Sequence, residues 1–302
     1  HTMYTDMNHM SNFDISFFAK IDTFGDINIS KGDMTNYGSN VYITSSKMFI
    51  YIDGSQTASY DHNLTFKDYI NVRISTSVSG KATVTIMTNG GTYKTPDLVL
   101  DARLSAVKVV ASSPASYTDC SLSYYCRGLE KDTWMYGDSY FSCGDLNRWT
   151  TYLVLSASDN FMLDGYGGRN SANAYKSFIN CIKYNLPKRV VWCMGMNDED
   201  TSTSVNSNWL GAYTEVRKIC DKNNIELILA TIPNVPSSNH TFKNDIVRNS
   251  GLRYIDFASA ISLNGDSTWY DNMLSSDGVH PVTEGAKALY AKAISDVPEL
   301  LS

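Results

Sequence analysis

Along roughly the first 127 residues, apolar and polar positions alternate with the period of a strand. Val72, Ile74 and Val78 alternate with Arg73, Ser75 and Ser77, and after Ser79-Gly80 the residues Ala82, Val84 and Ile86 alternate with Lys81, Thr83 and Thr85. That is the pattern of a hairpin with one buried face and a glycine in its turn. Asn89-Gly90-Gly91 marks the next turn, and upstream Met48, Ile50 and Ile52 alternate until Asp53-Gly54 breaks the run. Many short strands with polar turns, from about residue 11 to 127, predict an all-β sandwich. No internal repeat is visible.

From about residue 132 the period changes. Trp134-Met135-Tyr136 reads as a short strand, and Leu146, Trp149 and Leu153 as a helical face. Phe161-Met162-Leu163 is a second strand, and Tyr175, Phe178, Ile179 and Ile182 recur at helical spacing. Val190 to Met194 is a third strand, Trp209, Tyr213, Val216 and Cys220 line a helix, and Ile225 to Thr231 is a fourth strand. Arg253 to Phe257 is a fifth, and a last helix is predicted from about Thr283 to Ile294. Strands alternating with helices predict α/β architecture, a parallel sheet covered on both faces. Arg127-Gly128-Leu129-Glu130-Lys131 reads as a linker, so the chain is expected to divide into a β-sandwich accessory domain, 1–127, and a catalytic domain, 128–302.

Composition narrows the function. The 302 residues are 43% hydrophobic, 12% aromatic and 19% charged, which excludes a disordered chain. The net charge is −6, without a basic stretch to meet a phosphate backbone, so no nucleic-acid partner is expected. Apolar runs such as Ile225 to Ile232 fall far short of the ~20 residues that span a bilayer. The opening His1-Thr2-Met3 reads as an expression-tag remnant. Compartment therefore stays open: secreted or cell-surface if a signal once preceded the chain, cytoplasmic otherwise. Six cysteines are too few for a disulfide scaffold at this length, and Cys120 with Cys126 is the one candidate for a local bridge. No histidine stands near a cysteine pair at ligand spacing, so zinc is not expected, and no other cofactor is implied.

Ligands of an open parallel sheet bind at the carboxyl ends of its strands. After the first strand comes Gly137-Asp138-Ser139, and after the second Gly165-Tyr166-Gly167-Gly168-Arg169-Asn170. After the third comes Gly195-Met196-Asn197-Asp198, and Asp277-Gly278-Val279-His280-Pro281 precedes the last helix. Together they hold the parts of a nucleophilic mechanism. A serine hydroxyl needs a base to take its proton, and a histidine titrating near neutrality is one. Asp277, three residues before His280, can orient the imidazole. A developing oxyanion needs fixed donors, which the Ser139 N–H, a glycine N–H of the second block and the Asn197 amide can supply. Each block alone is also an ordinary cap, turn or solvated acidic stretch; their joint occurrence on one sheet edge is not.

The four blocks, in this order, resemble the GDSL/SGNH hydrolase superfamily across about 150 residues. The resemblance implies a three-layer, flavodoxin-like hydrolase domain, here preceded by a jelly-roll-like sandwich. It implies Ser139 as nucleophile, His280 and Asp277 as the rest of a catalytic triad, and Ser139, Gly168 and Asn197 as the oxyanion hole. Gly167 is adjacent to Gly168; the latter is preferred because it directly precedes the polar stretch that opens the next helix. Tyr140 stands where the family's name has leucine.

The superfamily cleaves esters of sugars, lipids, thiols and phenols. A β-sandwich joined to such a domain resembles polysaccharide deacetylases. The chain's 20 tyrosines, and Tyr166, Trp269 and Tyr270 near the blocks, suit sugar rings. The expected function is a serine esterase removing acetyl or another small acyl group from a carbohydrate. The alternatives are a lysophospholipase, thioesterase or aryl esterase, or a glycan-binding protein whose hydrolase unit is inactive.

Overall fold

The computed structural model describes residues 3–6, 13–31, 39–52, 55–76, 81–99, 106–112, 114–142, 146–157, 161–165, 167–263 and 268–302. The chain divides into two compact units, His1–Arg127 and Gly128–Ser302.

The first unit is antiparallel throughout its described pairings. Its strands are β1 (Met3–Asp6), β2 (Phe13–Thr23), β3 (Ile27–Lys31), β4 (Ser39–Ile43), β5 (Lys47–Ile52) and β6 (Ser55–Asp61), followed by β7 (Asp68–Thr76), β8 (Lys81–Thr88), β9 (Gly91–Lys94), β10 (Leu98–Val99), β11 (Ala106–Ala111) and β12 (Ser116–Cys126). One sheet runs β1-β11-β3-β4-β5-β6 and the other β10-β8-β7-β2-β12, with β9 also on β8. The predicted hairpin forms, with Ile74 opposite Val84 and Val72 opposite Ile86. Its turn, residues 77–80, and the Asp53-Gly54 break lie outside the described residues. Alternate positions from both sheets meet in one core, including Ile15, Phe17, Val72 and Val84 of one sheet and Ile29, Val41 and Ile50 of the other. A sandwich buries one face of each sheet in this way.

One expectation about this unit is corrected. Cys120 and Cys126 are not bridged to each other. They lie six residues apart on β12, which at ~3.3 Å per residue separates them far beyond disulfide reach. The Tyr-rich segment between them is strand, not loop. At the boundary between the units, Arg127–Glu130 is a 3-10 turn, and the Asn185 side-chain amide donates to the Leu129 carbonyl at 2.7 Å.

The second unit contains β13 (Thr133–Gly137), α1 (Trp149–Ser156), β14 (Phe161–Gly165), α2 (Ser171–Cys181), β15 (Arg189–Cys193), α3 (Ser207–Asn223), β16 (Glu226–Ala230), α4 (Thr241–Arg248), β17 (Tyr254–Ile255), α5 (Phe257–Ile261) and α6 (Thr283–Asp296). The sheet is parallel, in the order β14-β13-β15-β16-β17. Every residue of β13 is buried, as expected for a central strand covered on both faces. The helices form two groups, α2 with α3 and α6 with α1 and α5. Phe178 of α2 is fully buried and meets the Tyr136 ring of β13 edge-on at 5.7 Å.

Caps explain where α2 and α3 start. Asn170 accepts from the Asn173 N–H at the head of α2, and Asn206 accepts from the Asn208 and Trp209 N–H groups at the head of α3. Leu146 is not part of α1; it is 56% exposed, and the helix begins at Trp149. The fifth strand shortens to two residues, and α4 and α5 are helices that the apolar spacing did not predict. Among the described residues, no helix is long and apolar enough to cross a membrane.

Replacing Phe178 by alanine removes a ring from this closed core. The expected cost is about 3–5 kcal/mol, read as a lowered urea midpoint for the second unit's unfolding.

Candidate active site

Chain order sets the site. From β13 the chain passes to β14 on one side of it, and then to β15 on the other. The loops leaving the carboxyl ends of adjacent strands therefore part, which is where an open parallel sheet places a ligand crevice.

Gly137 and Gly165 end β13 and β14 and stand directly opposite in register. A Cβ on Gly137 would lie 2.2 Å from the Phe141 ring, and one on Gly165 would lie 2.6 Å from the Phe141 Cβ. The paired glycines thus form a slot that Phe141 fills, and the chain turns sharply over it as a 3-10 turn, Ser139–Phe141. Asp138 caps this turn by accepting from the Tyr140 N–H at 3.0 Å.

At the top of the turn, Ser139 Oγ lies 2.8 Å from His280 Nε2. His280 Nδ1 lies 2.8 Å from Asp277 Oδ2. An ionised carboxylate only accepts, so Nδ1 carries the hydrogen and Nε2 is left to accept from the serine hydroxyl. Asp277 is firmly ionised. Its partial burial pushes the carboxyl up, but hydrogen bonds from the Ser275 hydroxyl, the His280 and Val279 N–H groups and the imidazole outweigh burial and hold it well below the usual range. Asp277 Oδ1 receives those three non-imidazole bonds at 2.6, 2.9 and 2.8 Å. The arrangement is a charged acceptor, an oriented imidazole and a hydroxyl in line, which can carry a proton away from Ser139.

The glycine block and the Asn197 block adjoin. Asn197 Nδ2 donates to the Arg169 carbonyl at 3.0 Å, one residue beyond Gly168. Gly168 has φ +74°, a conformation that favours glycine, and a Cβ there would meet nothing within 4 Å. Glycine is required at this position by backbone shape, not by crowding. Asp138 also accepts from the Met196 N–H, which ties the serine turn to the Asn197 loop. Hydrogen bonds therefore join all four sequence blocks.

The aromatic candidates divide. Tyr270 is 46% exposed, whereas Trp269 is only 8% exposed and its indole N–H donates to the Asn234 carbonyl at 2.8 Å. Trp269 is therefore a core residue with a satisfied polar tip, which corrects the expectation that it faces substrate. Tyr166 lies outside the described residues.

Beneath the loops lies a polar layer that the sequence did not disclose. Arg169 is buried against buried Asp164, with Nη2 2.9 Å from Asp164 Oδ2, and Ser177 Oγ donates to that same oxygen at 2.6 Å. Asp198 Oδ2 accepts from the Ser171 N–H and hydroxyl at 2.9 and 2.8 Å, so it pins the Asn197 loop to the start of α2. Fully buried Lys243 pairs with Asp200 at 2.8 Å and donates to the Asp198 carbonyl. Asn197-Asp198 is consequently no solvated acidic cap. Lys243 stands in a short polar helix, and nothing in its spacing marks it as buried.

No protein-family profile and no curated protein matches the sequence. Solved structures do match. One is a lipolytic protein of the G-D-S-L family from Desulfitobacterium hafniense DCB-2, 18% identical, with a TM-score of 0.46 over 55% of this chain and 98% of that one. Another is a carbohydrate esterase of family 3 from Talaromyces cellulolyticus, 15% identical, with a TM-score of 0.42 over 57% of this chain and 98% of that one. A homodimeric agglutinin from chicken liver also matches, 10% identical, with a TM-score of 0.30 over 41% of this chain and 100% of that one.

Two predictions concern this layer. Arg169→Leu leaves Asp164 charged and buried without its partner, and should cost about 3–5 kcal/mol of stability by urea unfolding. The second concerns Asp138. Burial pushes its carboxyl up to about 7, only partly opposed by the Tyr140 and Met196 N–H groups, and nearby Asp198 adds to the rise. The folded state then keeps this proton where the unfolded chain has lost it. Its stabilising effect is full below the unfolded value near 4 and is lost as pH rises towards 7, at up to ~1.4 kcal/mol per pH unit. Asp138→Asn should flatten the stability profile between pH 4 and 7, measured by denaturant unfolding at each pH.

Proposed function

We propose that this chain is a serine esterase that hydrolyses carboxylic esters by an acyl-enzyme route. The observation that carries the reading is the relay Ser139 Oγ–His280 Nε2 and His280 Nδ1–Asp277 Oδ2, each link 2.8 Å. The parallel order β14-β13-β15-β16-β17, numbered from its first strand as 2-1-3-4-5, supports a flavodoxin-like catalytic domain spanning 128–302. Two antiparallel sheets over one core support a jelly-roll-like accessory domain spanning 1–127.

In this mechanism His280 Nε2 takes the Ser139 proton as Oγ bonds to the ester carbon. Asp277 steadies the imidazolium that results. Charge develops on the carbonyl oxygen, where the Ser139 and Gly168 N–H groups and Asn197 Nδ2 act as donors. His280 then gives its proton to the departing alcohol oxygen as the C–O bond breaks. Water enters, His280 takes one of its protons as the water oxygen bonds to the acyl carbon, and His280 returns that proton to Ser139 Oγ as the Oγ–C bond breaks and the acid departs. The substrate we infer is a carbohydrate bearing acetyl or another small acyl group. The wealth of tyrosine and the exposed Tyr270 support it.

Ser139→Ala should abolish cleavage of an aryl acetate while circular dichroism stays unchanged; residual activity above a few per cent would remove Ser139 as nucleophile. Asn197→Ala should lower kcat by about 10²–10³ with little change in KM, because its contact strengthens only as the oxyanion forms. Acetate release from acetylated xylan, mannan and pectin tests the carbohydrate assignment. Activity on aryl acetate with none on any glycan would overturn that assignment.

A further inference from the structure

The segment that carries His280 is held mainly by its own short-range bonds. Ser275 N–H donates to the His280 carbonyl at 2.8 Å, and Val282 N–H donates to the Met273 carbonyl at 2.9 Å. Asp277 gathers the Val279 and His280 N–H groups and the Ser275 hydroxyl. These bonds shape the loop but do not fix it to the nucleophile turn. The Asp277 side chain is 52% exposed and that of His280 26%, while Pro281, the next residue, is buried against the start of α6 and anchors the loop on that side only.

Two consecutive residues of the nucleophile turn reach across to this loop. One contact is the Ser139 hydroxyl on His280 Nε2. The other is the Tyr140 hydroxyl, which donates to the carbonyl of Val279, immediately before His280. Tyr140 is itself anchored. It is 4% exposed, its N–H is held by Asp138, and its ring lies beside the imidazole at 5.9 Å between centroids. Burial pushes its phenol well above the ordinary value, so the hydroxyl remains a donor wherever the enzyme is folded. The leucine that names the related motif has no hydroxyl to offer.

We propose that Tyr140 is a positioning residue whose hydroxyl tethers the His280 loop to the nucleophile turn, and that this tether matters most while Ser139 is acylated. The inference rests on the esterase reading above. In the acyl-enzyme, Ser139 Oγ is bonded to the acyl carbon and has no hydrogen. Its former proton has left with the alcohol, so the Ser139 bond to His280 is gone. The Tyr140 bond to Val279 persists through that interval. It holds Nε2 where it must accept a proton from the attacking water, whose oxygen bonds to the acyl carbon as the Ser139 ester bond breaks.

Tyr140→Phe removes the hydroxyl and keeps the ring; Tyr140→Leu removes both. Burst and steady-state phases with 4-nitrophenyl acetate give the acylation and deacylation rates separately. Deacylation should fall about tenfold in Tyr140→Phe, the factor one ordinary hydrogen bond supplies, while acylation stays within about twofold. Tyr140→Leu should lose at least as much. Amide hydrogen exchange over residues 275–280 should quicken in both variants, with the rest of the chain unchanged. Unaltered rates and unaltered loop exchange in Tyr140→Phe would overturn the tether and leave the esterase reading standing. Equal loss in both steps with a lowered melting temperature would also overturn it, because it would mean general loosening. If the wild type cleaves no ester, the esterase reading fails instead. Loop exchange alone then judges the tether, with quickened exchange upholding it and unchanged exchange overturning it.

Discussion

The turn from Asp138 to Phe141 can exist only because two neighbouring strands end in glycine. Gly137 and Gly165 leave room where their side chains would otherwise collide with Phe141. With Phe141 seated there, the backbone bends within three residues, and three side chains are aimed differently. Ser139 points to the imidazole, Asp138 accepts from the Asn197 loop and the turn itself, and Tyr140 reaches the loop before His280. A Cβ on either glycine would shift all three at once. The close approach of one ring to two strand ends is thus a condition for every later contact.

Charge is distributed to match. The ionic groups that shape the loops are deeply buried: Arg169 with Asp164, and Lys243 with Asp200. Such pairs gain little net stability, because removing two charges from water offsets most of their attraction. What they supply is a fixed geometry, since each charge is held by a buried partner of opposite sign. The Ser139–His280–Asp277 relay is more open, with Asp277 half exposed. On the proposed reading the site must admit substrate and water, and rigidity is provided from beneath it.

The same separation explains why the second unit can be read as the seat of chemistry while the first is built on a uniform apolar core. In the sandwich, buried positions alternate along strands and meet in one cluster. Among its described residues, His62 is buried between Phe66 and Tyr93, and burial lowers its pKa, so it stays neutral and serves packing. In the α/β unit, buried polar residues such as Asp138, Arg169, Asp198 and Lys243 lie beyond the carboxyl ends of the strands, where a parallel sheet delivers successive loops to a common edge.

Much of this was legible in residue order. Period-two and period-3.6 patterns report which face of an element is apolar, and that is a local property. Hence the hairpin of β7 and β8, the buried run of β13 and the helix lined by Trp209, Tyr213, Val216 and Cys220 could all be read directly. The four blocks were legible too, because each sits just after a strand or just before a helix. Other features required the folded chain. Asp198, Lys243 and Arg169 look like surface residues in sequence, and only contacts 27, 43 and 5 residues away make them buried partners. Trp269 reads as an exposed aromatic until its indole is seen bonded to Asn234. The pairing of Gly137 with Gly165 and the reach of Tyr140 to Val279, 139 residues on, belong to the same class. Local pattern decides what each segment becomes; which polar atoms lose water, and which partners replace it, is decided only when distant segments close on one another.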